Sequence, residues 1–203
     1  YWNLALWDGF STRPFFSENL EHTEAPWQFG YSSYAFLSDG TLVLGSSAPV
    51  ESASLRLFDV EGRELPPINS DYSSIRYMRT LGQKVIHLGS SPISLPEIVA
   101  VDTRDRAVSI LKKSSITEVD PELVSKPLAI EFSTSDNARA YAFYYSPHNP
   151  SIEADKETEK PPLLVMTHGG PTGATGAELN LKIQFWTSRG FAVVDVNYRG
   201  STG

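Results

Sequence analysis

Leu163-Leu164-Val165-Met166-Thr167-His168-Gly169-Gly170-Pro171-Thr172-Gly173 carries a short, continuously apolar run into a glycine-rich turn. The run follows Pro161-Pro162 and has the length and composition of a buried parallel strand. Beyond the turn, Leu179, Ile183 and Trp186 recur at i, i+4 and i+7, the spacing of one apolar helix face. Thr175 and Glu178 stand three apart, as in a capping box, and Arg189 with Gly190 suits the helix end. Phe191-Ala192-Val193-Val194-Asp195-Val196 supplies a second buried strand. Strand, helix and strand in this order begin an α/β sheet.

Working back along the chain, the pattern changes. Residues 31 to 115 read as short strands of alternating or β-branched residues separated by turn dipeptides. Asp39-Gly40 lies between Tyr34-Ala35-Phe36-Leu37 and Thr41-Leu42-Val43-Leu44, and Glu61-Gly62 follows Leu55 to Val60. Glycine supplies the positive φ that such tight hairpins need. The segment also repeats: Tyr34 and Tyr77, Leu55 and Ile98, and Asp59 and Asp102 are each 43 residues apart, and Gly45-Ser46-Ser47 recurs as Gly89-Ser90-Ser91 at 44. A period of 40–50 residues with four strands per unit is that of propeller blades. Residues 1 to 16, with Asp8-Gly9 as a turn, then read as the tail of an earlier blade. On the repeat alone, a β-sandwich with similar hairpins is the alternative.

After Pro127, Leu128 to Phe132 and Ala138 to Tyr145 flank Asp136-Asn137 as a hairpin, and Glu153 to Lys160 reads as a solvated loop of mixed charge. The domain change is expected near residue 125. The chain opens at Tyr1-Trp2-Asn3-Leu4-Ala5-Leu6-Trp7, already strand-like, and closes just after another strand; the expectation is a segment of a longer protein.

Composition narrows the function classes. Among 203 residues there are 17 basic and 24 acidic side chains, a net charge of −7, which gives no support to nucleic-acid binding. No cysteine is present, so disulfides, thiolate metal sites and a cysteine nucleophile are all excluded. Apolar runs stop far short of the ~18 residues that span a bilayer, and no leader-like basic-then-apolar segment opens the chain. A soluble, cytoplasmic protein is expected. His22, His87 and His148 are too scattered for a zinc site, and glycines 169, 170, 173 and 176 do not spell G-x-G-x-x-G, so neither metal nor nucleotide cofactor is expected. Trp2, Trp7, Trp27 and Trp186 read most simply as packing aromatics.

The turn after the first apolar strand carries the chemistry. A His-Gly-Gly motif is the usual donor of one oxyanion-hole N–H in α/β-hydrolases, because glycines let the backbone approach the reacting carbonyl. Pro161 to Val165, His168 to Gly173, Ser188 to Val196 and Asn197-Tyr198-Arg199-Gly200-Ser201-Thr202-Gly203 together closely resemble the prolyl oligopeptidase family of serine peptidases, nearest its acylaminoacyl-peptidase and dipeptidyl-peptidase-like members. Trp2-Asn3-Leu4 resembles a blade motif of that family, and Trp27-Gln28-Phe29-Gly30 with Tyr34 to Leu37 is similar to a segment of this subgroup. The resemblance covers nearly the whole chain, with the specific match confined to the last forty residues.

It implies a β-propeller followed by an α/β-hydrolase domain. Residues 1–125 would be the last blades, and 126–203 the beginning of the catalytic domain, ending before the nucleophile. It further implies short peptide substrates, an oxyanion donor at the Gly170 N–H, a bracing role for His168, and a site-supporting role for Gly169, Pro171, Asn197, Tyr198, Arg199 and Gly200. Read by themselves, Tyr198 and Arg199 suit loop packing and salt bridging. No residue of a Ser/Asp/His triad is assigned. Of the 14 glycines only Gly169 and Gly173 are four apart, with Pro171 midway, so there is no G-x-S-x-G elbow. In that family order Asp and His follow the serine, so His168 does not serve as the triad base. The competing class is a non-enzymatic propeller-type binding module, and oligomeric state is left open.

Overall fold

A computed structural model describes residues 2–23, 27, 29–46, 52–116, 119–152, 160–170 and 172–202. Gln28, Ser47, Pro171, Gly203 and most of the charged run, 153–159, lie outside the described residues. Two compact units are present: Tyr1–Gly89, Pro96–Ser114 and Thr202–Gly203 make the first, and Ser90–Leu95 with Ser115–Ser201 make the second.

The first unit contains a short hairpin, β1 (Ala5–Trp7) and β2 (Thr12–Pro14), whose turn is closed by Asp8 Oδ1 accepting from the N–H of Phe10 and Ser11, both at 2.8 Å. Two four-stranded sheets follow. β3 (Tyr34–Phe36), β4 (Leu42–Ser46), β5 (Ser54–Phe58) and β6 (Glu64–Asn69) run in spatial order 3-4-5-6. β7 (Ser74–Leu81), β8 (Lys84–Ser90), β9 (Glu97–Asp102) and β10 (Val108–Lys113) repeat that order. The 43-residue period is therefore visible as two sequential four-stranded sheets. Gly40 and Gly62 take φ of +88° and +81° in the hairpin turns where sequence placed them.

Position in the repeat carries matching chemistry. Asp59 Oδ1 accepts from the Glu61 and Arg63 N–H groups, and Asp102 Oδ1 from that of Arg104, so each third strand ends in a side-chain-closed turn. Gly45 and Gly89, each on a second strand, sit where a Cβ would crowd a neighbour: Ile75 and Met78 at 3.0 Å for Gly45, Tyr72 at 2.7 Å for Gly89. Leu55 and Ile98 correspond in position but not in burial, at 1% and 42% exposure. Val43, Leu55, Ile75, Met78, Val85 and Val99 lie at the heart of one apolar core.

The second unit is a mixed sheet in spatial order β11-β12-β14-β13, made of β11 (Leu128–Ser133), β12 (Arg139–Tyr145), β13 (Leu163–Thr167) and β14 (Ala192–Asn197). β13 and β14 are parallel, and the other pairs antiparallel. Asp136 and Asn137 take φ of +62° and +55° in the β11–β12 turn, a conformation their short polar side chains tolerate. One sheet face presents Leu164, Met166, Phe143, Tyr145 and Val193 to Ala177, Ile183 and Trp186, and so seats helix α1 (Leu181–Thr187).

The helix starts later than the capping-box spacing predicts. Its N-cap is Asn180, whose side chain accepts from the Lys182 N–H at 3.0 Å, and Leu179 is buried before the first turn. Thr175 does not cap because its hydroxyl donates to Asp195 on β14. The expected stop does form: Gly190 has φ +85°, and the Gly190 and Phe191 N–H groups close onto Thr187 O and Trp186 O.

Candidate functional site

Parallel pairing of β13 with β14, Met166 against Asp195 and Thr167 against Val196, ends the two strands side by side. The loops that follow are therefore neighbours at the carboxyl edge of the sheet, where open parallel sheets bind their ligands. The first loop begins His168-Gly169-Gly170 and the second is Tyr198 to Ser201.

His168 is half-buried against the second loop. Its ring stacks on Tyr198 with centroids 4.4 Å apart and planes 17° apart. Its Nε2 is 2.7 Å from Ser201 Oγ, and Ser201 Oγ lies 2.7 Å from the Tyr198 carbonyl. A carbonyl only accepts, so the Ser201 hydroxyl proton goes to it, and the serine oxygen is left to accept from a proton on His168 Nε2. The Tyr198 hydroxyl donates to Gly170 O at 3.1 Å. Among the described residues no carboxylate pairs with His168, so the imidazole has no acid partner such as a triad base has.

These contacts pin the glycines while leaving them open. Gly170 takes φ +84°, and a Cβ built on Gly169 or Gly170 meets nothing within 4 Å. Among the described residues no group accepts from the Gly170 N–H. The loop thus carries a backbone donor that no described residue uses.

The far end of this loop is fixed as well. The Thr175 N–H donates to Asn197 Oδ1 at 2.8 Å, Asn197 Nδ2 returns a bond to Thr175 O at 3.2 Å, and the Thr175 hydroxyl donates to Asp195 Oδ2. Glu178 folds its carboxylate over Gly176, so a side chain there would have to displace the flexible end of Glu178. Tyr145 is buried nearby, and burial, reinforced by the Asp195 and Glu178 charges, raises its hydroxyl pKa well above the ordinary value and keeps it protonated.

Of the residues expected at the site, His168, Gly170 and Tyr198 are brought together, Asn197 instead holds Thr175 at the far end of the loop, and Gly200 with φ +96° shapes the turn that returns Ser201 to His168. Arg199 points elsewhere, exposed and 3.9 Å from exposed Asp136. Pro171 lies outside the described residues. Thr175 and Asp195 were not anticipated here, and Ser201 was expected only as part of a loop packing beside the site. The one legible signal was that Asp195 and Asn197 stand two apart on a strand, and so on one face. Among the described residues no group of three His, Cys, Asp or Glu side chains is placed to hold a metal ion, and no helix is long and apolar enough to cross a membrane.

No family model matches the chain. A curated relative, dipeptidyl aminopeptidase BIII of Pseudoxanthomonas mexicana, is 27% identical over 179 residues, covering 81% of this chain and 25% of that protein. A puromycin-hydrolyzing peptidase of Mycobacterium tuberculosis superposes with a TM-score of 0.87 at 29% identity, covering 100% of this chain and 31% of that one. The chain is related to peptidases of the prolyl oligopeptidase family. The acylaminoacyl peptidase of Pyrococcus horikoshii shares the fold, with a TM-score of 0.60 at 20% identity over 99% of this chain and 29% of that one. The chain thus spans about a quarter of the curated peptidase and under a third of the solved ones.

Proposed function

We propose that the chain is part of a serine peptidase that cleaves short peptides through an acyl-enzyme, and that it contributes one half of the oxyanion hole. The Gly170 N–H is the donor. His168 braces it, Tyr198 holds its carbonyl, and Gly169, Pro171, Asn197, Arg199 and Gly200 complete the supporting loops. In this reading residues 1–125 are propeller blades that gate access, and residues 126–203 open an α/β-hydrolase domain in a cytoplasmic enzyme. The observation that carries the proposal is the pinned but open Gly169-Gly170 turn at the carboxyl end of a parallel strand.

Acyl transfer needs a nucleophile, a base and an oxyanion donor. These residues contain no G-x-S-x-G elbow, so the 203-residue chain by itself turns over no peptide. Treatment of the isolated chain with a fluorophosphonate, followed by intact-mass measurement, tests this. No adduct is expected, and a stoichiometric adduct on any serine of this chain would overturn the assignment.

A further inference from the structure

We propose that Thr175, Asp195 and Asn197 form a positioning latch that fixes the downstream end of the glycine loop and so sets the direction of the Gly170 N–H. The inference rests on the oxyanion reading above and adds to it the residues through which the site is held in register.

The loop between β13 and α1 runs from His168 to Asn180 and contains glycines at 169, 170, 173 and 176, a composition that by itself specifies little. At its upstream end, Tyr198 and Ser201 hold His168 and the Gly170 carbonyl. The Gly170 N–H shares its peptide plane with the Gly169 carbonyl, 3.3 Å from His168 Nδ1, and Gly170, at φ +84° and with no side chain, keeps that plane in a fixed relation to the rest of the loop only where the loop is also anchored downstream. Thr175 supplies the second anchor. Its N–H, C=O and hydroxyl are all engaged, by two side chains of β14.

Asp195 and Asn197 stand two apart on that strand and face the same way, at the point where the apolar contacts of Val193 give out. Asp195 is 6% exposed, and the Thr175 hydroxyl is the hydrogen-bond donor that meets its carboxylate. Asn197 pairs with the Thr175 backbone as a neighbouring strand would, although the loop is not a strand. Asp195 and Asn197 come from the same strand that precedes Tyr198, so both anchors of the loop are carried by one element.

The experiment compares Thr175→Val, which removes the hydroxyl and keeps the shape, with Thr175→Ser, which restores it, in the intact peptidase that carries this segment. Thr175→Val is expected to lower kcat for a short peptide substrate about 10–100-fold with little change in KM, as displaced catalytic groups do. Thr175→Ser is expected to recover most of the loss. A second measurement does not depend on turnover: Asn197→Ala is expected to speed amide exchange at Thr175 about 10-fold or more, while strand β14 stays protected. An unchanged kcat in Thr175→Val, a Thr175→Ser variant as slow as Thr175→Val, or undiminished Thr175 protection in Asn197→Ala would each overturn the latch. An unsubstituted protein that fails to hydrolyse peptides would instead overturn the oxyanion reading, and the exchange measurement would still decide the latch.

Discussion

Gly169 and Gly170 are adjacent and exposed, and a Cβ at either meets nothing within 4 Å, yet only one of them has a backbone that calls for glycine. Gly170 takes φ +84°, in the left-handed region, where an L side chain meets its own carbonyl. Gly169 lies outside that region and a Cβ there meets nothing within 4 Å, so nothing within the described residues demands glycine. Gly170→Ala is expected to destabilise the protein by about 1–2 kcal/mol, whereas Gly169→Ala should leave stability within about 0.5 kcal/mol, both measured by urea unfolding. An equal cost at both positions would contradict the geometry. The glycine pair was legible in the sequence as a motif. The partner of His168 was not, because Ser201 is 33 residues away and is brought back only by strand pairing and the Gly200 turn.

At the scale of elements, regular hairpins were readable because their turn chemistry is local. Asp39-Gly40, Glu61-Gly62 and Asp136-Asn137 carry the positive φ values that their turns need within two residues. The helix start was misread for the opposite reason: the hydroxyl of Thr175 is claimed by Asp195, on a strand that follows the helix. Strand β8 shows a further element whose behaviour follows from packing. His87 is 2% exposed, edge-on to Tyr72, with Nδ1 unpartnered among the described residues. Burial lowers its pKa below the ordinary 6.5. The folded state therefore binds fewer protons than the unfolded state, and stability falls as pH drops below about 6.5 and through the lower folded-state value. Replacing His87 with Phe should flatten that part of the stability profile on the acid side of about pH 6.5, as read by urea unfolding. An unchanged slope would show that His87 is not the group responsible.

For the molecule as a whole, the mixed sheet seats the helix on one face, and on the other its outer strands expose apolar side chains. Val165, Val194, Tyr144 and Leu128 are in register across it, and Val165, Leu163 and Leu128 are 64%, 54% and 60% exposed. Parallel strands are normally buried on both faces. The 203-residue chain is thus expected to self-associate, sedimenting above its 22.4 kDa monomer mass at micromolar concentration. Leu163→Lys with Val165→Lys should return it to monomer; a concentration-independent monomer before substitution would contradict this use of the face. The proposed function turns on one backbone donor, the Gly170 N–H. In the intact peptidase, replacing residue 170 by its α-hydroxy acid changes the N–H to an ester oxygen and leaves every side chain in place. The account predicts a fall in kcat of roughly 10²–10³ with little change in KM. An ester-substituted enzyme that turns over as fast as the amide would contradict the assignment of Gly170 to the oxyanion.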